Sequence, residues 1–286
     1  MNKPILPFVE TMITQVCNLS CAGCTNYSDL NHRGHISWAQ GREWIAPWLE
    51  RITIPDFGIF GGEPLLNPDV DLWISGIRDL LPAAQIRFTT NGTLLRKKRE
   101  IVKQLSEIGN CVFKITVHQS DPDLEDLIQE ILDSYSWDPV VEYGVSRYKT
   151  ANNFRFQINR PQTFIKTFKG SYQDMMPFDS EPADAFAVCC QQKCPLMHQG
   201  RIYKCSSNGL LSDTLLKFEN PNFKDWEKYL DTGISVDSST DEILKFIDNF
   251  GKPHQMCGMC PSATDANATV DHTKNVFSKK IKWGRE

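Results

Sequence analysis

Strand-like and helix-like segments alternate from residue 8 to about residue 148, and this order restricts the fold more than any other feature. Strands are expected at 8–17, 56–64, 84–92, 111–120 and 139–148, each an apolar run closed by a loop or turn signal. Between them, Trp38, Trp44, Ile45, Trp48 and Leu49 recur at near-helical spacing behind Ser37, a natural N-cap. Further helices are expected at 69–81, at 97–109 with Gly109 closing it, and at 121–135. Alternation of this kind implies an α/β fold built from right-handed βαβ units around a parallel sheet. The second half reads differently: 149–190 is polar, aromatic and irregular, and is followed by a hairpin, a helix near 239–250 and a final CxxC.

Nine of the ten cysteines fall in two places, Cys17–Cys24 and the set made by Cys189, Cys190, Cys194, Cys205, Cys257 and Cys260. The opening segment, broken by Pro4 and Pro7, does not read as a secretory signal. No apolar run approaches the roughly 20 residues that cross a bilayer. The expectation is a cytoplasmic protein with reduced thiols, so the cysteines are metal ligands or catalytic groups rather than a disulfide framework. A net charge of −4 argues against nucleic acid as a partner.

Cys17, Cys21 and Cys24 form CxxxCxxC. Three thiolates on one loop can grip a cubane 4Fe–4S cluster and leave its fourth iron open for chemistry. The competing reading is a structural zinc site, which wants four closed ligands. His32 and His35 are the nearest histidines and lie at no usual spacing.

The trio follows the first strand, the second strand ends in "GGEP" (61–64) and the third in "TTNG" (89–92). Together these resemble the radical S-adenosylmethionine (radical SAM) superfamily over roughly residues 8–150. The resemblance implies a partial (β/α)6-type barrel in which the three cysteines hold a 4Fe–4S cluster whose open iron chelates S-adenosyl-L-methionine. It further implies that Gly61, Gly62, Glu63 and Pro64 contact the amino group of that cofactor, and that Thr90 and Asn91 face it. His118 or Ser120, at the end of the fourth strand, would meet the ribose. Many members carry an aromatic residue just before the third cysteine, packed on the adenine. Here that position is Gly23, which leaves Tyr27 as the nearby aromatic.

In "CPLMHQGRIYKC" (194–205), a two-residue turn at Gln199–Gly200 makes cross-strand partners sum to 399, so Cys194 faces Cys205. With Cys257 and Cys260 they make four thiolates, enough for one cluster or one ribbon-like zinc. The arrangement resembles the SPASM and twitch domains appended to radical SAM enzymes. It implies one auxiliary 4Fe–4S cluster, with Cys190 as the alternative to Cys194 because the usual spacing to the glycine is longer. A spare thiol at Cys189 or Cys190 would then be a candidate hydrogen-atom donor. Cys111, ahead of a strand, reads as a small buried hydrophobe. The expected division is a core over 1–188, with 149–188 as connector, and a small hairpin-containing auxiliary-cluster domain over 189–286.

The resemblance implies an enzyme that forms a 5′-deoxyadenosyl radical and abstracts hydrogen from an unactivated C–H bond. An external donor such as flavodoxin or ferredoxin would supply the electron. Auxiliary-cluster members often epimerise, crosslink or oxidise peptides, and that is the first expectation for the substrate. Because the first cluster cysteine stands at residue 17, no leader-binding domain is expected before it. The alternative is a dehydrogenase or epimerase of a small polar molecule such as an aminocyclitol or sugar, so oxidoreductase and isomerase both stay open. A non-catalytic electron-transfer protein is the reading from another class; an activase of a glycyl radical would need ferredoxin-like inserts that are not seen.

Overall fold

The computed structural model describes residues 3–142, 145–265, 268–271 and 276–278, without the side chains of 139–147 and 276–278. Its centre is a ten-stranded sheet. Six neighbouring strands run parallel, in the order Leu196–His198, Val9–Met12, Asp56–Phe60, Gln85–Thr90, Cys111–Thr116 and Arg155–Asn159. Antiparallel strands extend both edges: Arg201–Tyr203 and Ile234–Ser235 on one, Val145–Lys149 and Asp138–Glu142 on the other.

The helices form where the apolar spacing places them. Trp38–Leu49 starts at a capping box between Ser37 and Gln40. Val70–Leu80, Glu100–Ile108 and Pro122–Asp133 follow, the second ending at Gly109 with φ 65° and the third capped by Asp121. Their apolar stripes bury Ile45, Trp73, Ile77, Leu105, Leu127 and Ile128 against Phe57, Ile86, Phe88, Phe113 and Phe156 on one face of the sheet. Each such side chain contributes about 1.5–3 kcal/mol of burial. The first two helices interlock: Trp73 fills the notch at Gly41, and Trp38 the notch at Gly76, where any Cβ would lie about 2 Å from the ring.

Two expectations change. The single strand at 139–148 is an antiparallel pair, Asp138–Glu142 with Val145–Lys149. The fifth parallel strand is instead Arg155–Asn159, inside the stretch that looked irregular. Its buried Phe154, Phe156 and Ile158 recur every second residue, the period of a strand. The hairpin turn falls at Gln199–Gly200 with Leu196 opposite Tyr203, as its turn chemistry dictates. Its first strand pairs with Val9–Met12, so the sheet continues past residue 188 into the C-terminal part. Among the described residues, no helix is long and apolar enough to cross a membrane.

Candidate functional site

The helix-free face of the sheet carries the chemistry. In the strands Gln85–Thr90 and Arg155–Asn159, buried residues alternate with partly exposed ones, and Arg87, Thr89 and Gln157 are among the latter. Glu10, Gly58 and Arg87 sit side by side on adjacent strands, and Thr89, Lys114 and Gln157 form the next row. Parallel strands covered on both faces are ordinarily apolar throughout; these are apolar on one face only.

At the C-terminal ends of the strands lies a cavity of about 600 Å³. Cys17, Cys21 and Cys24 line it together with Gly61, Gly62, Thr90, Asn91, His118 and Cys190. The cysteine loop is held from several directions. Gly62 N donates to Thr14 O at 2.7 Å and Glu63 N to Val16 O at 2.8 Å, pinning the glycine turn to the segment that leads into Cys17. A Cβ on Gly62 would lie 2.5 Å from Val16 O, so the glycine is needed for this close backbone approach. Leu19 N donates to Cys17 Sγ at 3.4 Å, and Asn91 Nδ2 approaches the same sulfur at 3.9 Å. Asn91 Nδ2 also donates to Asn18 Oδ1 at 2.9 Å, so the third strand's end orders the cysteine loop.

Glu63 differs from its expected role. Its side chain is fully buried and is absent from the cavity lining, as is Pro64. Its carboxylate accepts from Thr90 Oγ1 at 2.7 Å, Asn91 N at 2.8 Å and Leu65 N at 3.0 Å. Burial pushes its pKa up to about 7, against those hydrogen bonds. The geometry makes Glu63 the staple between two strand ends; the glycines before it face the cavity.

Tyr27 is also turned away. It is fully buried, its hydroxyl donates to Ser207 O at 3.0 Å, and it packs among Met12, Leu30 and Phe168. The aromatic residue that lies beside Gly23 is Phe164, whose Cβ would be 3.4 Å from a Cβ at that glycine. Gly23 has φ 75°, which disfavours a side chain there in any case. Phe164 lines the cavity and meets His118 edge-on at 5.8 Å between ring centres. Ser120 is exposed and is not part of the lining.

The second cysteine group is a buried, mutually interacting set. Burial drives the pKa of Cys260 well up, and Cys205, Cys189, Cys257 and Cys190 add to the rise. Burial also raises Cys205, with Cys189 and Cys257 adding to it. Cys189 is raised to about 11, by burial first and then by Cys190 and Cys257. Cys194 is raised to about 12, by burial first and then by Glu10, Cys190 and Cys189, with Lys114 opposing. Pairing of Pro195 O with Glu10 N draws residue 194 alongside the first strand, while Cys205 leaves the hairpin to cap the short helix Ser206–Gly209. The two cysteine regions are bound together by Gln191, whose Nε2 donates to Thr25 Oγ1 at 3.1 Å and to Ser206 Oγ at 2.6 Å. Cys111 is buried at the start of its strand, as expected.

Among the described residues, no three His, Cys, Asp or Glu side chains are drawn close enough to hold a single metal ion. The trio is instead spread over one wall of a cavity, with thiol donors, a glycine turn and an amide-rich strand end around it. That donor set fits a thiolate-bound cluster with space left beside it.

Comparison with known proteins agrees with this layout. Residues 11–143 match the profile of the Radical SAM superfamily. A probable GTP 3',8-cyclase of Pyrobaculum aerophilum is 30% identical over 112 residues, 39% of this chain and 34% of that protein. The S-adenosyl-L-methionine-dependent 2-deoxy-scyllo-inosamine dehydrogenase of Niallia circulans is 29% identical over 124 residues, 41% of this chain and 47% of that one. The chain thus spans less than half the length of these relatives. The crystal structure of BtrN in complex with AdoMet and 2-DOIA superposes over 92% of this chain and 95% of that chain, with TM-score 0.52 at 16% identity, a likeness of fold.

Proposed function

From the premise that residues 11–143 form a radical SAM domain, we propose that this enzyme removes a hydrogen atom from an unactivated C–H bond of a small polar molecule. When bound, a 4Fe–4S cluster and S-adenosyl-L-methionine supply the electron and the carbon-centred radical that such a step requires. Cys17, Cys21 and Cys24 would hold that cluster. Gly61 and Gly62 leave room for the cofactor, Thr90 and Asn91 offer polar groups to it, and His118 with Phe164 walls the far side. Cys189, Cys205, Cys257 and Cys260 would hold one auxiliary cluster, and an external one-electron donor such as flavodoxin or ferredoxin would feed the system.

One observation carries the reading. The cysteine-lined cavity shares Phe60, Thr89, Lys114 and Cys194 with a second cavity of about 460 Å³ on the same polar face of the sheet. A reactive end and a charged end therefore adjoin within one fold. Cavities of this size suit a small molecule. The strand Thr163–Ile165, which walls the first cavity, is itself paired with Thr269–Asp271, a further reason to prefer an enclosed substrate over a peptide. The dehydrogenase relative, named for an aminocyclitol, points the same way.

Anaerobically reconstituted protein should contain iron and sulfide and should cleave S-adenosyl-L-methionine reductively. Replacing Cys17, Cys21 and Cys24 together with Ala should remove about half the iron and abolish cleavage. Retained cleavage, or zinc in place of iron, would overturn the proposal. Cys190 lines the cofactor cavity, where a hydrogen donor is needed if the product is an epimer. Product made in deuterium oxide separates the two outcomes: an epimer gains one solvent deuteron, whereas an oxidised product is two mass units lighter and gains none at that carbon.

A further inference from the structure

Two groups of cations differ in what the fold does with them. The first is consecutive in sequence, Arg96, Lys97, Lys98 and Arg99. The fold neutralises it. Arg96 and Arg99 both pair with Glu130, and Arg96 Nη2 also donates to Asp123 O at 3.0 Å. The helix that supplies these partners, Pro122–Asp133, adds Glu125, Asp126 and Asp133. The second group is scattered in sequence and is gathered only by folding.

A cavity of about 380 Å³ is lined by the hairpin strand Arg201–Tyr203, the edge strand Ile234–Ser235 and the helix Thr240–Asp248. Arg201, Lys204, Lys245 and His254 face it, and its carboxylates among the described residues are Asp231 and Glu242. Both carboxylates are engaged. Arg201 Nη2 lies 2.9 Å from Asp231 Oδ1. Glu242 accepts from Ser239 N at 2.7 Å and from Ser239 Oγ at 2.8 Å, closing the cap of its helix. Lys204 and Lys245 have no carboxylate partner among the described residues. Lys204 Nζ reaches Gln192 O at 3.4 Å, one long contact for a group with three donors. Exposed Lys252 stands in sequence between Phe250 and His254, which both line the cavity. Exposed Lys193 packs over Gly251, where a Cβ would lie 3.2 Å from its Cε.

This basic surface adjoins the second cysteine group. Lys204 directly precedes Cys205, and His254 N donates to Cys257 Sγ at 3.4 Å. We propose that it docks an acidic one-electron carrier protein, with Lys204, Lys245 and Lys252 meeting carboxylates of the partner. The inference rests on the functional reading above, which needs an external donor, and names where that donor lands. The chain's net charge is −4, so an acidic partner gains nothing from overall attraction and must find a local cationic surface. Rim charges of this kind steer the encounter and fix its register. Each encounter passes one electron. The carrier's reduced cofactor loses it, and S-adenosyl-L-methionine takes it up as its sulfur–C5′ bond breaks to give methionine and the 5′-deoxyadenosyl radical.

The test titrates an acidic flavodoxin and an acidic ferredoxin, each in its oxidised form, into the reconstituted enzyme by isothermal calorimetry. At least one should bind at about 0.05 M salt and weaken about 10-fold or more at about 0.5 M, where surface charges are screened. Lys245→Glu combined with Lys252→Glu should weaken low-salt binding by about 10-fold or more. Lys97→Glu combined with Lys98→Glu, on the neutralised run, should leave it within about 2-fold. Iron content and thermal melting at the wild-type level establish that each double variant is folded. Cleavage of S-adenosyl-L-methionine driven by dithionite, a small reductant that needs no docking, should be unchanged by the Lys245 and Lys252 reversals, whereas carrier-driven cleavage should fall with binding. No binding of either carrier, binding that survives those reversals, or binding lost instead on reversal of Lys97 and Lys98 overturns the assignment. Saturable binding of inorganic phosphate in place of a carrier would make the cavity a small-anion site and overturn it too. Dithionite-driven cleavage by the wild-type enzyme tests the functional reading on its own. Its absence, with salt-sensitive docking intact, keeps the surface and loses that reading.

Discussion

On the helix-covered face of the sheet, Phe88, Phe113 and Phe156 stack across three neighbouring strands, with Ile59, Ile86 and Ile115 around them, all fully buried. On the other face the same strands carry Gly58, Arg87, Lys114 and Gln157, and next to them Glu10. Residues one apart in sequence thus serve opposite purposes. The first set buries apolar area and holds the fold. The second keeps polar groups around two adjoining cavities, at a cost in burial that a purely structural sheet would avoid. Because strand side chains alternate strictly, the two sets can be varied almost independently.

The largest expected contrast is between two adjacent residues of one strand. Phe113→Ala empties the middle of the aromatic stack and should cost about 3–5 kcal/mol in urea unfolding. Lys114→Gln, its neighbour, should change stability by less than about 1 kcal/mol, since it breaks no ion pair among the described residues. Equal losses from both would show that the polar face is part of the stabilising core, and the comparison would fail.

Two glycines on the polar side sharpen it further. Gly62→Ala forces a Cβ to within 2.5 Å of Val16 O and 2.8 Å of Gln15 O, backbone atoms that cannot swing aside. The expected cost is about 1–3 kcal/mol, with displacement of the Cys17 loop and loss of the iron it holds. Gly58→Ala instead meets Glu10 Cβ at 2.6 Å and the ring edge of Phe8 at 3.0 Å, so a cost of similar size is expected. It should nonetheless leave iron content at the wild-type level, because it does not touch the Cys17 loop. Iron analysis of the two variants checks this, and iron loss from Gly58→Ala would mean that the two cavities are not separable.

Much of the apolar face was legible in the sequence. The helical spacing of Trp38, Ile45 and Trp48, the Ser37 cap and the Gly109 stop each act within a few residues, and local signals of that kind survive folding. The hairpin register followed from Gln199–Gly200 alone. Which of the six C-terminal cysteines share a site does not follow from it, because Cys194 and Cys205 lie beyond the paired residues, one beside the first strand and the other at a helix N-terminus. The strand Arg155–Asn159 was hidden by its polar alternate positions, which resemble a loop when read without the sheet beside them. The polar face of the sheet had a signal of its own. "QIRFTT", "CVFKIT" and "RFQIN" each set a polar residue among apolar ones in strands that the βα order makes central. Which of those residues meet across the sheet is fixed by register, and register is set by pairing between distant segments.

The last expected effect concerns Glu10 and is visible as a dependence on pH. Burial raises its pKa from an ordinary 4.5 to about 8, although Lys114 and then Arg87 pull it down. The other charged or ionisable groups around the cavity are Asp56, held by Arg87, and Lys193 and Cys194 from the segment before the hairpin. Between about pH 4.5 and 8 the folded protein keeps a proton on Glu10 that the unfolded chain has released. Proton uptake is then greater in the folded state, so stability falls as pH rises through this window. The contribution is complete below 4.5 and is lost once pH passes about 8. Glu10→Gln has no such proton to lose. Its melting temperature should match that of the wild type near pH 4.5 and clearly exceed it at pH 8.5, the gap opening steadily between. A gap that does not change with pH would mean that Glu10 titrates as it would in water. The polar cavity around Glu10 would then be open to water rather than desolvated.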